Sequence, residues 1–217
     1  MNTSPSPSLE RWQLYAMRTF LISIAFLFSL STSYAQASDS TKQMEAYDFD
    51  TTLKGGYTIL FTYDDSLEYL YLKKNNKIIS EIAACSIGLP YKNLGYVASD
   101  FKDYFVLAHS FGSGNPHSIE LIKKSTGKNI LDFSAAWIDA DEEKQLLLYS
   151  RDEIPTSKNK MILYNLQTGK KEYYSFPKDL LGLTEIFNRI QIAKFTNKEF
   201  AIRYETNDGA KTKVYSR

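Results

Sequence analysis

The 217-residue sequence is poor in the residues that most often carry chemistry, with one cysteine, two histidines and two tryptophans. A lone Cys85 excludes an intramolecular disulfide and any zinc site built on paired thiolates. Ten Gly and six Pro are too few for a collagen-like or low-complexity chain. Neither sign of charge dominates, since 26 Lys and Arg stand against 25 Asp and Glu. Nucleic acid is therefore not an expected partner, because a sequence-independent grip on phosphates draws on a basic excess. The apolar run at residues 19–30 is 12 residues long, short of the ~20 that a membrane-spanning helix needs.

That run follows Arg18 and gives way to Ser33-Tyr34-Ala35-Gln36-Ala37-Ser38. A basic start, a short apolar centre and small residues at A-x-A spacing are the marks of a secretory signal peptide. It is expected over residues 1–37, with cleavage after Ala35 or Ala37. Residues 1–16 make a long lead-in containing Pro5, Pro7 and Glu10, and Met17 would open a more compact signal. The exported chain, residues 38–217, is expected to be one soluble domain in the periplasm or outside the cell. It has no further membrane span and no lipid-bearing cysteine near the cleavage site. With residues 1–35 removed, basic and acidic residues balance at 24 each. Cys85, within Ile82-Ala83-Ala84-Cys85, reads as a small buried hydrophobe rather than a reactive thiol.

From Tyr57 onward, short runs rich in Tyr, Phe, Ile, Leu and Val alternate with polar turns, which is the pattern of strands. Four runs are apolar on both alternating sets of positions: Tyr57-Thr58-Ile59-Leu60-Phe61, Tyr104-Phe105-Val106-Leu107-Ala108, Leu146-Leu147-Leu148-Tyr149 and Phe200-Ala201-Ile202. A strand with one face in water alternates, so these four are expected to be covered on both faces by stacked sheets. Hairpin tips follow at Asn75-Asn76-Lys77, Thr126-Gly127-Lys128, Thr168-Gly169-Lys170 and Asn207-Asp208-Gly209. Gly and Asn suit such tips because tight hairpins place residues at positive φ. Residues 178–190, with Leu180, Leu181, Leu183, Ile186, Phe187 and Ile190, carry the only helical spacing, one or two amphipathic turns inside a loop.

Counted from Tyr57, Tyr104, Gln145 and Phe200, the repeats begin 41 to 55 residues apart, and the two Thr-Gly-Lys tips lie 42 apart, a range that brackets the period of blade-type repeats. On these residues, and on Asn165-Leu166-Gln167-Thr168-Gly169-Lys170 between two strands, the chain over 57–217 resembles β-propeller blades. The resemblance implies an all-β fold of antiparallel blade-like repeats, about four of them, in a small or incomplete propeller. The alternative is a two-sheet β-sandwich. The last repeat is short, and Tyr47-Asp48-Phe49-Asp50 has the alternation of an outer strand that would complete it. The likeness is to a structural repeat and implies no functional family.

No catalytic motif survives a check of spacing. The Thr-Gly-Lys tips lack the upstream Gly and the following Ser or Thr of a phosphate loop, and Gly112-Ser113-Gly114 lacks the third Gly of a dinucleotide loop. Neither a Gly-x-Ser-x-Gly elbow nor a His-Glu-x-x-His pair is present. His109 ends one strand and His117 begins the next. If Phe111 pairs with His117, the two imidazoles share a face as diagonal neighbours, although no local acid completes a metal set and hydrogen bonding to backbone or water is the plainer role. Asp139-Ala140-Asp141-Glu142-Glu143 is the densest carboxylate cluster, but Lys144 stands where a calcium loop wants Gly, so a solvated turn is expected. Asp64 and Asp65 are further acids whose separation from a partner carboxylate the sequence does not set.

The candidate ligand-binding residues are His109, His117, Trp137, Asp139, Tyr91 and Tyr96, with no catalytic residue, metal ligand or cofactor assigned. The expected function is that of an exported, non-catalytic binding or interaction module with a protein or glycan partner. The alternative is a secreted hydrolase of glycans or peptides using scattered Asp and Glu with His109. Convergence of these residues in one place is the observation that separates a site from scattered surface residues.

Overall fold

The computed structural model describes residues 51–88, 94–110, 117–131, 133, 135–151 and 160–217. The expected signal segment and the candidate strand Tyr47-Asp48-Phe49-Asp50 lie outside them. The described chain is all-β and antiparallel. A first sheet runs in order β1 (Thr51–Leu53), β2 (Tyr57–Tyr63), β3 (Leu67–Lys74) and β4 (Lys77–Ser86). The central sheet is built from β5 (Tyr96–Asp100), β6 (Tyr104–His109), β7 (Ser118–Lys123), β8 (Lys128–Asn129), β9 (Ala135–Asp141), β10 (Leu146–Ser150), β11 (Lys160–Asn165) and β12 (Lys171–Ser175). After the one-turn helix α1 (Ile186–Arg189), a last sheet holds β13 (Ile190–Phe195), β14 (Glu199–Thr206) and β15 (Gly209–Ser216). No sheet closes on itself and none forms a propeller. Among the described residues no helix is long and apolar enough to cross a membrane.

The turns follow the chemistry of their residues. Asn75 and Asn76 at the β3–β4 tip both have positive φ, 48° and 63°, the conformation that Asn tolerates best after Gly. Gly127 carries φ 68° at the β7–β8 tip, and a Cβ there would stand 2.3 Å from the Ser80 Cβ of β4. Backbone conformation and close approach of the first sheet both demand glycine at that position.

The central sheet is folded over, and one broken strand makes the fold. β8 pairs with one end of β7 (Ile122 with Asn129, Lys123 with Lys128), and β9 pairs with the other end of the same edge (Ile119 with Ala135, Ser118 with Ala136). β8 and β9 are thus two pieces of one line of chain, interrupted near Leu131 and Phe133. Strands that change sheet through such a break are how stacked sheets turn corners. The Asn129 side chain bridges the break, with its Oδ1 accepting from Leu121 N (3.1 Å) and Leu131 N (3.0 Å).

Packing shows the result. One face of the central sheet carries Val106, Ala108, Ile119, Leu121, Leu147, Tyr149 and Ile162, all buried in a single cluster to which neither other sheet contributes. Its two halves, β5–β8 and β9–β12, therefore cover each other. On the opposite face, Phe105, Leu107 and Ile122 pack against Ile59, Leu70 and Leu72 of the first sheet. Leu146, Leu148, Met161 and Leu163 pack against Phe200, Ile202 and Tyr204 of the last sheet. Three cores separate four layers. Leu180 and Ile186 of the predicted helical stretch, only the last turn of which is helix, help close the third core.

This order corrects the expectation of four strands covered on both faces. β6 and β10, in the two middle layers, are buried throughout except at the ends of β6. β14, in an outer layer, alternates: Phe200, Ile202 and Tyr204 are buried, whereas Glu199, Arg203 and Glu205 are exposed. In β2 only Ile59 is fully buried. Cys85 is corrected likewise, since β4 is an outer strand and the thiol is half-buried. Partial burial and the neighbouring Glu68 carboxylate raise its pKa, which disfavours the thiolate.

At one end of the stack the turns of three layers are tied by a polar junction. The Lys124 ammonium is buried and reaches Asp100 Oδ1 at 2.6 Å, Phe101 O at 2.7 Å and Lys54 O at 2.9 Å. Two hydrogen-bonded carbonyls and a carboxylate in ion-pair contact surround the charge, the condition under which burying an ammonium is tolerable. Lys54 N donates to Asp100 Oδ2, and Lys54 Nζ pairs with Glu142. Glu142 Oε1 accepts from Asp100 N (2.7 Å) and Ser99 Oγ (3.2 Å), and Gln145 Oε1 accepts from Lys102 N (3.0 Å). In a flat sheet the β9–β10 turn would lie several strands away from the β5–β6 turn, so these bonds are a second mark of the fold.

Replacing Asn129 with Ala leaves two N–H groups of buried residues without an acceptor, and each such group costs about 1–3 kcal/mol. Urea unfolding should show Asn129→Ala destabilised by about 2 kcal/mol or more, while Asn207→Ala at an exposed tip stays within about 0.5 kcal/mol. Lys124→Met keeps the stem but leaves Asp100 Oδ1 and two carbonyls without the ammonium. Its expected loss is about 3–5 kcal/mol, read from the same unfolding midpoints.

Candidate functional site

Tyr91 lies outside the described residues. The other five candidates fall into three places. Tyr96, His117 and Trp137 come together, His109 lies on the opposite face of the same strands, and Asp139 points into the third core.

The separation of the histidines is a matter of register. β6 and β7 pair with His109 opposite Ser118 and Ala108 opposite Ile119, one residue away from the pairing that would set both imidazoles on one side. A shift of one residue exchanges the faces of a strand. His109 accordingly sides with Phe105 and Leu107, towards the first sheet, and its Nε2 meets Glu120 Oε1 at 3.0 Å. Gly95 makes room for it, since a Cβ there would stand 3.0 Å from the imidazole Cε1 and 2.7 Å from Leu107 Cγ. His109 is held in packing rather than offered to a ligand.

His117 faces the fold of the central sheet. Trp137 N donates to His117 O at 2.9 Å, which extends the β7–β9 pairing by one residue and sets the two side chains opposite each other on one face. Trp137 is in turn the register partner of Tyr149 on β10. From β5, the Tyr96 hydroxyl stands 2.5 Å from His117 Nδ1, with the two rings edge to face at 5.9 Å. Phe133, in the break between β8 and β9, stacks on Tyr149 at 6.4 Å, and the Arg151 guanidinium sits 4.7 Å over the Phe133 ring. Tyr96, His117, Phe133 and Trp137 are half-buried, Tyr149 is buried and Arg151 is exposed. The fold thus carries at one end an aromatic row with a cation at its margin, where rings offer apolar faces and polar tips together.

Phe133, Tyr149 and Arg151 are additions to the residues expected from the sequence. Tyr149 reads locally as core, and Phe133 and Arg151 read as a loop and a strand end. Only the fold of the central sheet brings them to Trp137.

The acidic cluster runs into the partly solvated β9–β10 turn, where Glu143 is exposed, and its other acids are engaged within the fold. Asp139 Oδ1 accepts from Ala140 N (2.8 Å), and its Oδ2 accepts from Ala193 N of β13 (2.7 Å), which ties the third layer to the fourth. Asp141 caps its own turn through Lys144 N and Nζ, and Glu142 belongs to the polar junction. At the β2–β3 tip, Tyr69 and the N–H groups of Ser66 and Leu67 hold the Asp64 carboxyl far below the usual range, as a structural acceptor. Among the described residues no three His, Cys, Asp or Glu side chains are grouped so as to hold a metal ion.

No protein-family model matches the chain, and no curated protein matches it.

Burial raises the Asp139 pKa, and the two backbone donors offset only part of that. A carboxyl whose folded pKa exceeds its unfolded value binds protons more readily in the folded state. It favours folding below the unfolded value of 3.8, and that contribution is lost as pH rises through the raised folded pKa. Asp139→Asn removes the titration. The stability of the native protein relative to Asp139→Asn should therefore fall between pH 4 and the raised pKa and level off above it, measured by urea unfolding across that range.

Proposed function

We propose that the protein is an exported, non-catalytic binding module whose ligand contacts the aromatic row of Tyr96, His117, Phe133 and Trp137, with Arg151 at the rim. The observation that carries this reading is the convergence of four partly exposed rings and a cation at the fold between the two middle layers. Aromatic faces flanked by a few polar groups suit sugar rings and the side chains of peptides. The layers supply an antiparallel all-β scaffold that presents its ends. Export rests on the signal-like segment at residues 1–37. A scaffold role for acids is supported by Asp64, one of the two named for hydrolysis, and by Asp139, both of which spend their oxygens on N–H and hydroxyl donors within the fold.

Trp137 provides the test. In the chain beginning at Ser38 it is the only tryptophan, so its fluorescence reports on this face alone. Screening oligosaccharides and peptides should yield a ligand that shifts this emission. Trp137→Ala and Tyr96→Ala should each weaken its binding, measured by calorimetry, by tenfold or more. A ligand bound with unchanged affinity by both variants would remove the reading. Turnover of a screened glycan or peptide would replace it with a hydrolase.

A further inference from the structure

We infer that the outer edge of β15 is a docking strand for an extended, acidic segment of a partner protein, an interaction surface separate from the aromatic row. β15 pairs with β14 over eight residues without a register shift. Arg217 N donates to Lys198 O at 2.9 Å, and this bond fixes the phase of the ladder. In an antiparallel pair, bonded residues recur at every second position, so Gly209, Lys211, Lys213 and Tyr215 bond inward to β14. The N–H and C=O groups of Ala210, Thr212, Val214 and Ser216 point the other way. All four residues are exposed, and none of their backbone groups has a partner beyond β14 among the described residues.

The other long outer edges are blunted. β4 carries two register shifts, and the Ser175 carbonyl of β12 is taken by the Tyr215 hydroxyl at 3.0 Å. A straight, open edge is a template for strand addition unless something guards it. Here the guards are lysines, and they also select the occupant. From residue 189 onward the chain carries seven Lys and Arg against three Asp and Glu, within a protein whose total is +1. Lys211 and Lys213 project from one face of β15. Lys211 is engaged by Asp179 at 2.8 Å, whereas Lys213 is exposed and has no acidic partner among the described residues. The other face presents Ala210, Thr212 and Val214, the last 52% exposed. A second copy of β15 would set lysines against lysines across the new pair, which is unfavourable. A segment alternating acidic with β-branched residues would meet cations on one face and small apolar groups on the other.

The probe is an acetylated, amidated octapeptide alternating Asp with Val, added to the chain from Ser38 onward and followed by amide hydrogen exchange. Exchange at Ala210, Thr212, Val214 and Ser216 should slow at least tenfold, while Lys211 and Lys213, already bonded to β14, change little. The same peptide with Lys in place of Asp should give no protection. Thr212→Pro removes one edge N–H without touching the ladder to β14, and should abolish the effect. Lys213→Glu, at an exposed position that does not threaten folding, should weaken it about fivefold. Absence of protection, equal protection by the lysine peptide, or full protection in Lys213→Glu would overturn the proposal. So would protection without peptide accompanied by dimers in sedimentation, which would assign the edge to a second copy.

Discussion

Apolar side chains on both faces of a strand leave it only one favourable position, between two other layers, and β6 and β10 are such strands. Their burial accounts for the three cores. Phe105 and Leu107 look one way and Val106 and Ala108 the other; Leu147 and Tyr149 share the middle core, and Leu146 and Leu148 look outward to the last sheet. At roughly 25 cal/mol per Å² of apolar surface removed from water, stacking of this kind is the dominant favourable term in the fold. The outer layers are what the middle strands require.

Burial alone does not set how the layers register. That role falls to polar groups at the ends of strands, where a buried charge is tolerated only in fixed geometry. Lys124 joins three turns from two layers, Glu142 joins the third layer to the second, and Asp139 reaches the fourth. Lys124 and Glu142 belong to turns, and Asp139 to the end of a strand, that a reading by composition assigns to solvent. The carboxylates of Glu142 and Asp139 are engaged by N–H donors and an ammonium group, so these acids help tie the layers together.

The strands, their antiparallel order and most hairpin tips were legible because period-2 patterning and turn residues are local signals. Asn75-Asn76, Gly127 and Gly169 mark tips in the sequence and occupy tips in the structure. Depth was only half legible. Phe200-Ala201-Ile202 looks as apolar as Leu146-Leu147-Leu148, yet the exposure of Arg203 and Glu205 shows a strand with water on one side. The histidines show the sharper limit, since assigning both to one face needed the loop length between β6 and β7 to within one residue. The candidate face depends on a fold inside a sheet, encoded by the break between Asn129 and Ala135, and no periodicity announces that Phe133 and Arg151 meet there.

In every layer, strands adjacent in space are adjacent in sequence, and the break between β8 and β9 leads directly from one layer into the next. Loop-closure costs stay small in such a chain, because each partner arrives within a few residues of the last. The layers are therefore suited to accrete in order from one terminus to the other. Each meander presents its greasy side to the next one along the chain, as one course of masonry rests on another.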